Sequence, residues 1–286
     1  MIKHPVTRDV RNINCRLTRH LQTLALRLLP KMAKKVNGSW VLNDDPPETF
    51  HIQGRATLIA PDDKWMYVDE KKAINVLFKK YLKTLTPSHQ LLLSRFNFQD
   101  LAFKVVGVGS VGTRCLALLV TDSLDNPLFI QIKQALPSVL SPYFPQKKHD
   151  KIQRGQKIVY GQRLMQSASD SFLGWAKGSL GYEYYFRQLR DMKVAAQIEL
   201  FSELMFGRYA WLCCDILSHA HARAGGMAPQ VTGYLGNNQD FAEAVVRYAN
   251  NYADVVEKDY EAFRTACRNG TLKAQSDEDF RADLSI

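Results

Sequence analysis

The run "KVVGVGSVGTRCLALLV", from Lys104 to Val120, constrains the fold of this chain more than any other stretch. It sets Gly107, Gly109 and Gly112 in a G-x-G-x-x-G between two segments rich in β-branched residues. Glycines at that spacing let a backbone approach phosphate groups closely, and more than one architecture uses them. A dinucleotide fingerprint needs a strand, a tight turn and a crossover helix, with an acidic residue about 20 positions on. Here the run after Gly112 reaches the turn "SLDNP" (Ser123 to Pro127) too soon for a crossover helix. No acidic residue closes a second parallel strand at the required distance. A Walker A loop is excluded, because no Gly-Lys-Ser/Thr follows the glycines.

The other architecture is a hairpin with its glycines at the tip, of the protein-kinase type. There the next strand carries a lysine that pairs with the ATP phosphates. Lys133 in "LFIQIKQA" stands at that position. Strand alternation puts Phe129, Gln131 and Lys133 on one face and Ile130 and Ile132 on the other. The lysine would then face a cleft while the isoleucines anchor the strand. Gly107, Gly109, Ser110, Gly112 and Lys133 are the candidate nucleotide-binding residues. The plainer alternative is a glycine-rich hairpin whose lysine meets no ligand.

Elsewhere the pattern is mostly helical. Leu17, Leu21, Leu24, Leu28 and Met32 recur at helical spacing between Val6 and Lys35, with Pro30 as a kink or stop. "NDDPPETF" reads as a loop. Helices are expected near Asp69 to Leu85 and after Thr86-Pro87, where proline takes the first helical position. A three-strand antiparallel meander follows, then a helix over "GQKIVYGQRLMQSAS" and a strand or two in "YEYYFRQLRDM". Two long helices should run from Ala195 to Arg223, stopped by Gly225-Gly226, and from Asn238 to Arg268, stopped by Asn269-Gly270. The expected fold class is α+β: a small antiparallel sheet with a helix, protein-kinase N-lobe-like, flanked by mainly helical N- and C-terminal parts. The expected divisions are a helical region over 1–98, a glycine-loop sheet lobe over 99–194, a helical lobe over 195–272 and a polar tail over 273–286.

The formal net charge of +10 favours anionic partners. The five cysteines contain no C-x-x-C, so neither a zinc ribbon nor a thioredoxin-type motif is supported. Cys213-Cys214 lies in an apolar helical run and reads as two buried thiols in a reducing compartment. "MIKHPVTRDVRNINCRL" has no apolar h-region, and no apolar run reaches the ~18 residues of a membrane span. The expectation is a cytoplasmic protein with no membrane partner.

The stretches "KVVGVGSVGTRC", "PLFIQIKQALPSVL", "GQRLMQSASDSFLGW", "YYFRQLRDMK" and "HAHARAGG…VTGYLG" resemble a bacterial family known as domain of unknown function 2252. The resemblance spans roughly Leu28 to Leu272. It implies a distant similarity to kinase-like phosphotransferases, with Gly107, Gly109 and Gly112 in the phosphate loop and Lys133 as its lysine. Longer family members carry an upstream Gly-Asp-x-His…Asn stretch and an Asp-Phe-Asp-like stretch, similar to catalytic and metal-binding loops. This chain has no Gly-Asp dipeptide and no Asp-Phe-Asp; "DEDFRAD" in the tail lacks the pattern. By the resemblance the chain is truncated, matching the later part of a longer protein, and its catalytic residues are unknown. No metal ligands are assigned. Magnesium would need ligands from a missing segment, supplied in the same chain or by a partner chain.

Kinase-type sites also pair the strand lysine with a glutamate on the following helix. The segment Gln153 to Ser169 holds no acidic residue, which leaves Gln162, Tyr160 or, from a later strand, Glu183 as neighbours for Lys133. His219 and His221 are two apart and cannot share a helix face, whereas Asp215, His219 and Arg223 can. "YEYYFRQLRDMK" mixes aromatics with Arg187, Arg190 and Lys193, a pattern that also suits single-stranded nucleic acid. Two functions follow: ATP phosphate binding, serving phosphoryl transfer in the intact architecture, or a non-enzymatic nucleic-acid- or protein-binding module.

Overall fold

The computed structural model describes residues 29–53, 57–59, 62–67, 69–105, 113–144, 152–189 and 196–273. The chain divides into two compact units, 1–215 and 216–286. The fold is α+β.

In the first unit, strands β1 (Ala33–Val36) and β2 (Ser39–Leu42) form an antiparallel hairpin. Its turn is Asn37-Gly38, both at positive φ, the conformation these two residues tolerate best. Strand β3 (Thr49–Phe50) follows, then helices α1 (Glu70–Leu82) and α2 (Pro87–Leu93). Asp69 caps α1 by accepting from the Lys72 N–H at 3.0 Å. Thr86 precedes Pro87 at the start of α2. Then come β4 (Asn97–Lys104), β5 (Cys115–Thr121), β6 (Pro127–Gln134), helix α3 (Arg154–Met165), β7 (Gly174–Lys177) and β8 (Glu183–Gln188). Six strands form one sheet in the order β3-β4-β5-β6-β8-β7, each pair antiparallel.

Each face of this sheet has its own core. On one, Ile74, Leu77 and Tyr81 of α1 pack on Leu116, Leu118, Ile130, Ile132 and Phe186. Tyr81 stacks on Phe186 with ring centroids 4.1 Å apart, and its hydroxyl donates to the Phe172 carbonyl at 2.6 Å. On the other, Leu29, Ala33 and Leu42 pack on Ala102, Ala117, Leu119, Phe129 and Leu189. Burying each large side chain contributes about 1.5–3 kcal/mol, so the α1 face carries much of the lobe's stability.

A charge cluster ties the first hairpin to the sheet. His51 Nδ1 meets Asp44 Oδ1 at 2.7 Å, and Nε2 meets Asp100 Oδ2 at 2.9 Å. Asp100 also accepts from the Leu42 N–H at 2.6 Å. The hydrogen bond to Asp100, with the second carboxylate of Asp44, raises the His51 pKa to about 9 against the opposing cost of burial. Glu70 completes the group, and burial raises its carboxyl.

Past β8, helix α4 (Glu203–Gly225) spans the division between the units, and the second unit holds α5 (Ala228–Leu235) and α6 (Asp240–Arg268). None of these three helices has a buried residue. On α6, Phe241, Val245, Tyr248, Tyr252, Val256 and Phe263 form an exposed apolar stripe.

Several expectations change. Ala33–Val36 is a strand, not the end of a helix, because it pairs with Ser39–Leu42 across a two-residue turn. The loop read at "NDDPPETF" contains β3, which pairs with Lys104 and Phe103. The helix expected from Ala195 begins at Glu203, behind a short 3-10 turn at Ile198–Leu200; Ala195 lies outside the described residues. Helix α5 and strand β7 were not anticipated. Cys213 and Cys214 are exposed rather than buried, since α4 buries nothing. Of the helical stretch expected from Val6 to Lys35, residues 6–28 lie outside the described residues and 29–32 are helical; the polar tail from 274 onward also lies outside them.

Two predictions follow from this packing. A Cβ on Gly174 would lie 2.6 Å from Thr84 Oγ1 and 2.7 Å from the Tyr81 ring, whereas one on Gly161 of α3 would meet nothing within 4 Å. Gly174→Ala should therefore lower the urea midpoint, by about 1–3 kcal/mol in stability. Gly161→Ala should hold or raise it by about 0.4–1 kcal/mol. The second concerns pH. The folded His51 pKa lies above the ordinary 6.5, so its stabilisation is complete below pH 6.5 and is lost as pH rises through about 9. With the site partly exposed, the effect should be about 1 kcal/mol. The melting-temperature gap between wild type and His51→Ala should narrow from pH 6.5 to pH 10; a constant gap would refute the clamp.

Candidate functional site

The face of the sheet opposite α1 is built by alternation along β6. Ile130 and Ile132 are buried in the α1 core, while Phe129 belongs to the other core. Gln131 and Lys133 continue the Phe129 face, as the sequence predicts. Cross-strand register then assembles two rows. Lys133 stands opposite Cys115 of β5 and Tyr185 of β8. Gln131 stands opposite Ala117 and Arg187, and Ala117 opposite Ala102 of β4. Arg187 Nε donates to Gln131 Oε1 at 2.8 Å, and Gln131 Nε2 points at Cys115 Sγ at 3.6 Å.

Cys115 lies at the centre of the positive charge. Burial raises its thiol pKa, while Lys133, Arg187 and Lys104 all pull the other way. Three cations from three strands thus converge on one buried sulfur. Lys104 Nζ donates to Thr49 Oγ1 at 3.1 Å. Lys133 has no hydrogen-bond or ion-pair partner among the described residues. An ammonium group presented by a central strand, with two further cations nearby, can receive an anion.

The glycine run connects β4 to β5. Gly107, Gly109, Ser110 and Gly112 lie outside the described residues, but both roots of the connection are fixed. The Val105 N–H donates to the Glu48 carbonyl at 2.7 Å. On the far side, the Arg114 carbonyl accepts from the Gln134 N–H at 2.9 Å, and the Arg114 N–H donates to Gln134 Oε1 at 3.1 Å. The Arg114 guanidinium bonds Asp63 at 2.9 Å and lies 4.3 Å from the centre of the Tyr182 ring. The run is therefore held between the Lys104–Thr49 edge and the end of β6 that carries Lys133.

The neighbours proposed for Lys133 are engaged elsewhere. Glu183 Oε2 accepts from the Arg154 N–H at 2.7 Å, capping α3, and its other oxygen is 4.0 Å from Lys177. The Tyr160 hydroxyl accepts from Gln156 at 2.8 Å, and its ring meets Trp175 edge-on. Gly155 lets α3 sit close to β7 and β8, since a Cβ there would lie 2.3 Å from the Tyr184 carbonyl oxygen.

A cavity of about 150 Å³ opens on the same face beside Lys104 and Ala117, lined also by Lys31, Asn43, Asp45, Glu48 and Thr49 and by the apolar Met32 and Leu42. Sequence reasoning missed this cavity, because its lining comes from segments that looked helical or looped. It also missed His51 with Asp44 and Asp100, whose only local signal is the acidic pair before Pro46-Pro47. Arg190 and Lys193 lie outside the described residues. Among the described residues, no group of three or more His, Cys, Asp or Glu is placed to hold a metal ion. No described helix is long and apolar enough to cross a membrane.

No curated protein and no solved structure matches the chain. A family model described as an uncharacterised protein conserved in bacteria, DUF2252, matches residues 5–266. That span takes in the whole sheet, both roots of the glycine run, Lys133 and nearly all of α6, and the chain belongs to the bacterial DUF2252 family.

Proposed function

We propose that the sheet lobe binds the phosphates of a nucleoside triphosphate such as ATP, and that in the intact family architecture this serves phosphoryl transfer. The observation that carries the reading is Lys133 on the central strand, without a hydrogen-bond or ion-pair partner among the described residues and beside the end of β5 that leads back to the glycine run. The order of elements supports it. β4, β5 and β6 are neighbours in the sheet, with the glycine run between the first two and Lys133 on the third, and α3 follows β6. In protein kinases the glycine-rich connection joins the first two strands and the phosphate-pairing lysine is on the third.

In this reading, backbone N–H groups of Gly107, Gly109, Ser110 and Gly112 cover the phosphates, and Lys133 orients them. α3 holds no acidic residue, and no carboxylate among the described residues pairs with Lys133, so its charge would be available to an anion. The general base and any magnesium-holding carboxylates would come from a segment, or a partner chain, with the family's Gly-Asp-x-His and Asp-Phe-Asp-like stretches. Turnover by this chain alone is therefore not part of the proposal.

Calorimetric titration with ATP tests it. Wild type should bind, and Lys133→Ala should weaken binding at least about tenfold, or 1.4 kcal/mol, with an unchanged circular dichroism spectrum. Equal affinity in the two proteins would overturn the assignment. Oligonucleotide binding with a steep salt dependence, indifferent to Lys133→Ala, would favour the basic binding module instead.

A further inference from the structure

We propose that this face reads a polyphosphate chain alone and leaves any attached base unrecognised. The ligand class is a short polyphosphate, free or carried by any nucleoside triphosphate. The inference rests on the phosphate-binding reading of Lys133 and narrows it.

A base beside the phosphates would need a flat apolar surface in the row next to Lys133. That row is Ala102, Ala117, Gln131 and Arg187. Ala102 is 0%, Ala117 1% and Gln131 2% exposed. Leu29, Ala33 and Leu42, with Met32 and Trp40, pack in the same cluster as the two alanines. The chain's own first hairpin thus occupies the surface on which a base would stack. The Gln131 amide offers no free reading edge either, since Arg187 and Cys115 engage it.

What stays open among the described residues is small, with charged groups beside Met32, Leu42 and Ala117. The cavity beside Lys104 measures about 150 Å³, below the ~300 Å³ at which pockets for whole small-molecule ligands begin. Lys31 and Lys104 line it with the Thr49 hydroxyl, and Lys133 and Arg187 add their charge around Cys115. Asp45 and Glu48 share the lining and weaken its pull on an anion. Lys31 and Lys104 balance Asp45 and Glu48 within the lining, so the surplus positive charge on this face comes from Lys133 and Arg187, and it favours a compact polyanion, for which charge density outweighs surface burial.

The test compares ATP, GTP, CTP, inorganic tripolyphosphate and adenosine on the full chain at one fixed ionic strength. The four polyanions should bind within about threefold of one another, and adenosine should not bind at ~1 mM. Lys104→Ala should weaken all four by a similar factor of about five or more. An ATP affinity at least about tenfold above those of CTP and tripolyphosphate, and lost in Lys133→Ala, would overturn this inference while the phosphate reading stands. Adenosine binding, or a Lys104→Ala protein with unchanged affinities, would also overturn it. Failure of every polyanion to bind wild type would overturn both.

Discussion

The site depends on one strand having to satisfy two environments. β6 is central in the sheet, hydrogen-bonded to β5 on one side and β8 on the other, and both its faces are packed, Ile130 and Ile132 in the α1 core and Phe129 in the core under the first hairpin. Ile130 and Ile132 meet α1 with no exposure, and this fixes the register. A slip of one residue would drive Lys133 into the α1 core, at a desolvation cost far above the worth of any single hydrogen bond. The isoleucines therefore aim the lysine. The same register sets Cys115 opposite Lys133 and Arg187 opposite Gln131, so the charge on the second face follows from the packing of the first.

What could be read from the sequence follows the reach of each signal. β6 was legible because "LFIQIKQ" alternates over enough residues to define a face. α1 was legible from helical spacing and an aspartate cap. β1 and β2 were not, since "AKKV" and "SWVL" are four residues each, β1 begins inside a stretch that read as helix up to Lys35, and their pairing rests on the Asn-Gly turn just past it. β7 begins with Gly174, a residue that weakens a strand by propensity but is needed here for the close approach of Tyr81. The His51 clamp joins positions 44, 51 and 100, which only the fold brings together. The cysteine expectation failed for a different reason. "WLCCDIL" is apolar enough for a core, but apolarity does not say what covers a helix.

The phosphate candidates were legible in unequal ways. Lys133 came from an alternation that the sheet reproduces, whereas the glycines carry only a spacing, and their own conformation lies outside the described residues. The fixed roots matter for that reason. With Val105 tied to Glu48 and Arg114 tied to both Gln134 and Asp63, the run between them must leave one edge of the sheet and return beside β6.

The first hairpin then has two consequences from one contact. By packing Leu42, Ala33 and Leu29 on Ala102 and Ala117 it completes the second core. In the same act it covers Ala102 and most of Ala117 on the cation-bearing face and leaves the small cavity beside Lys104. The His51 clamp holds that hairpin through Asp100 on β4, the strand that also ends in Lys104. Loss of the clamp would loosen the cover over Ala117 while leaving Lys133 on its anchored strand. On the proposed reading, stability and ligand choice would be coupled through β4: a chain with a freed hairpin would keep the proposed hold on phosphates and gain room for a base beside them.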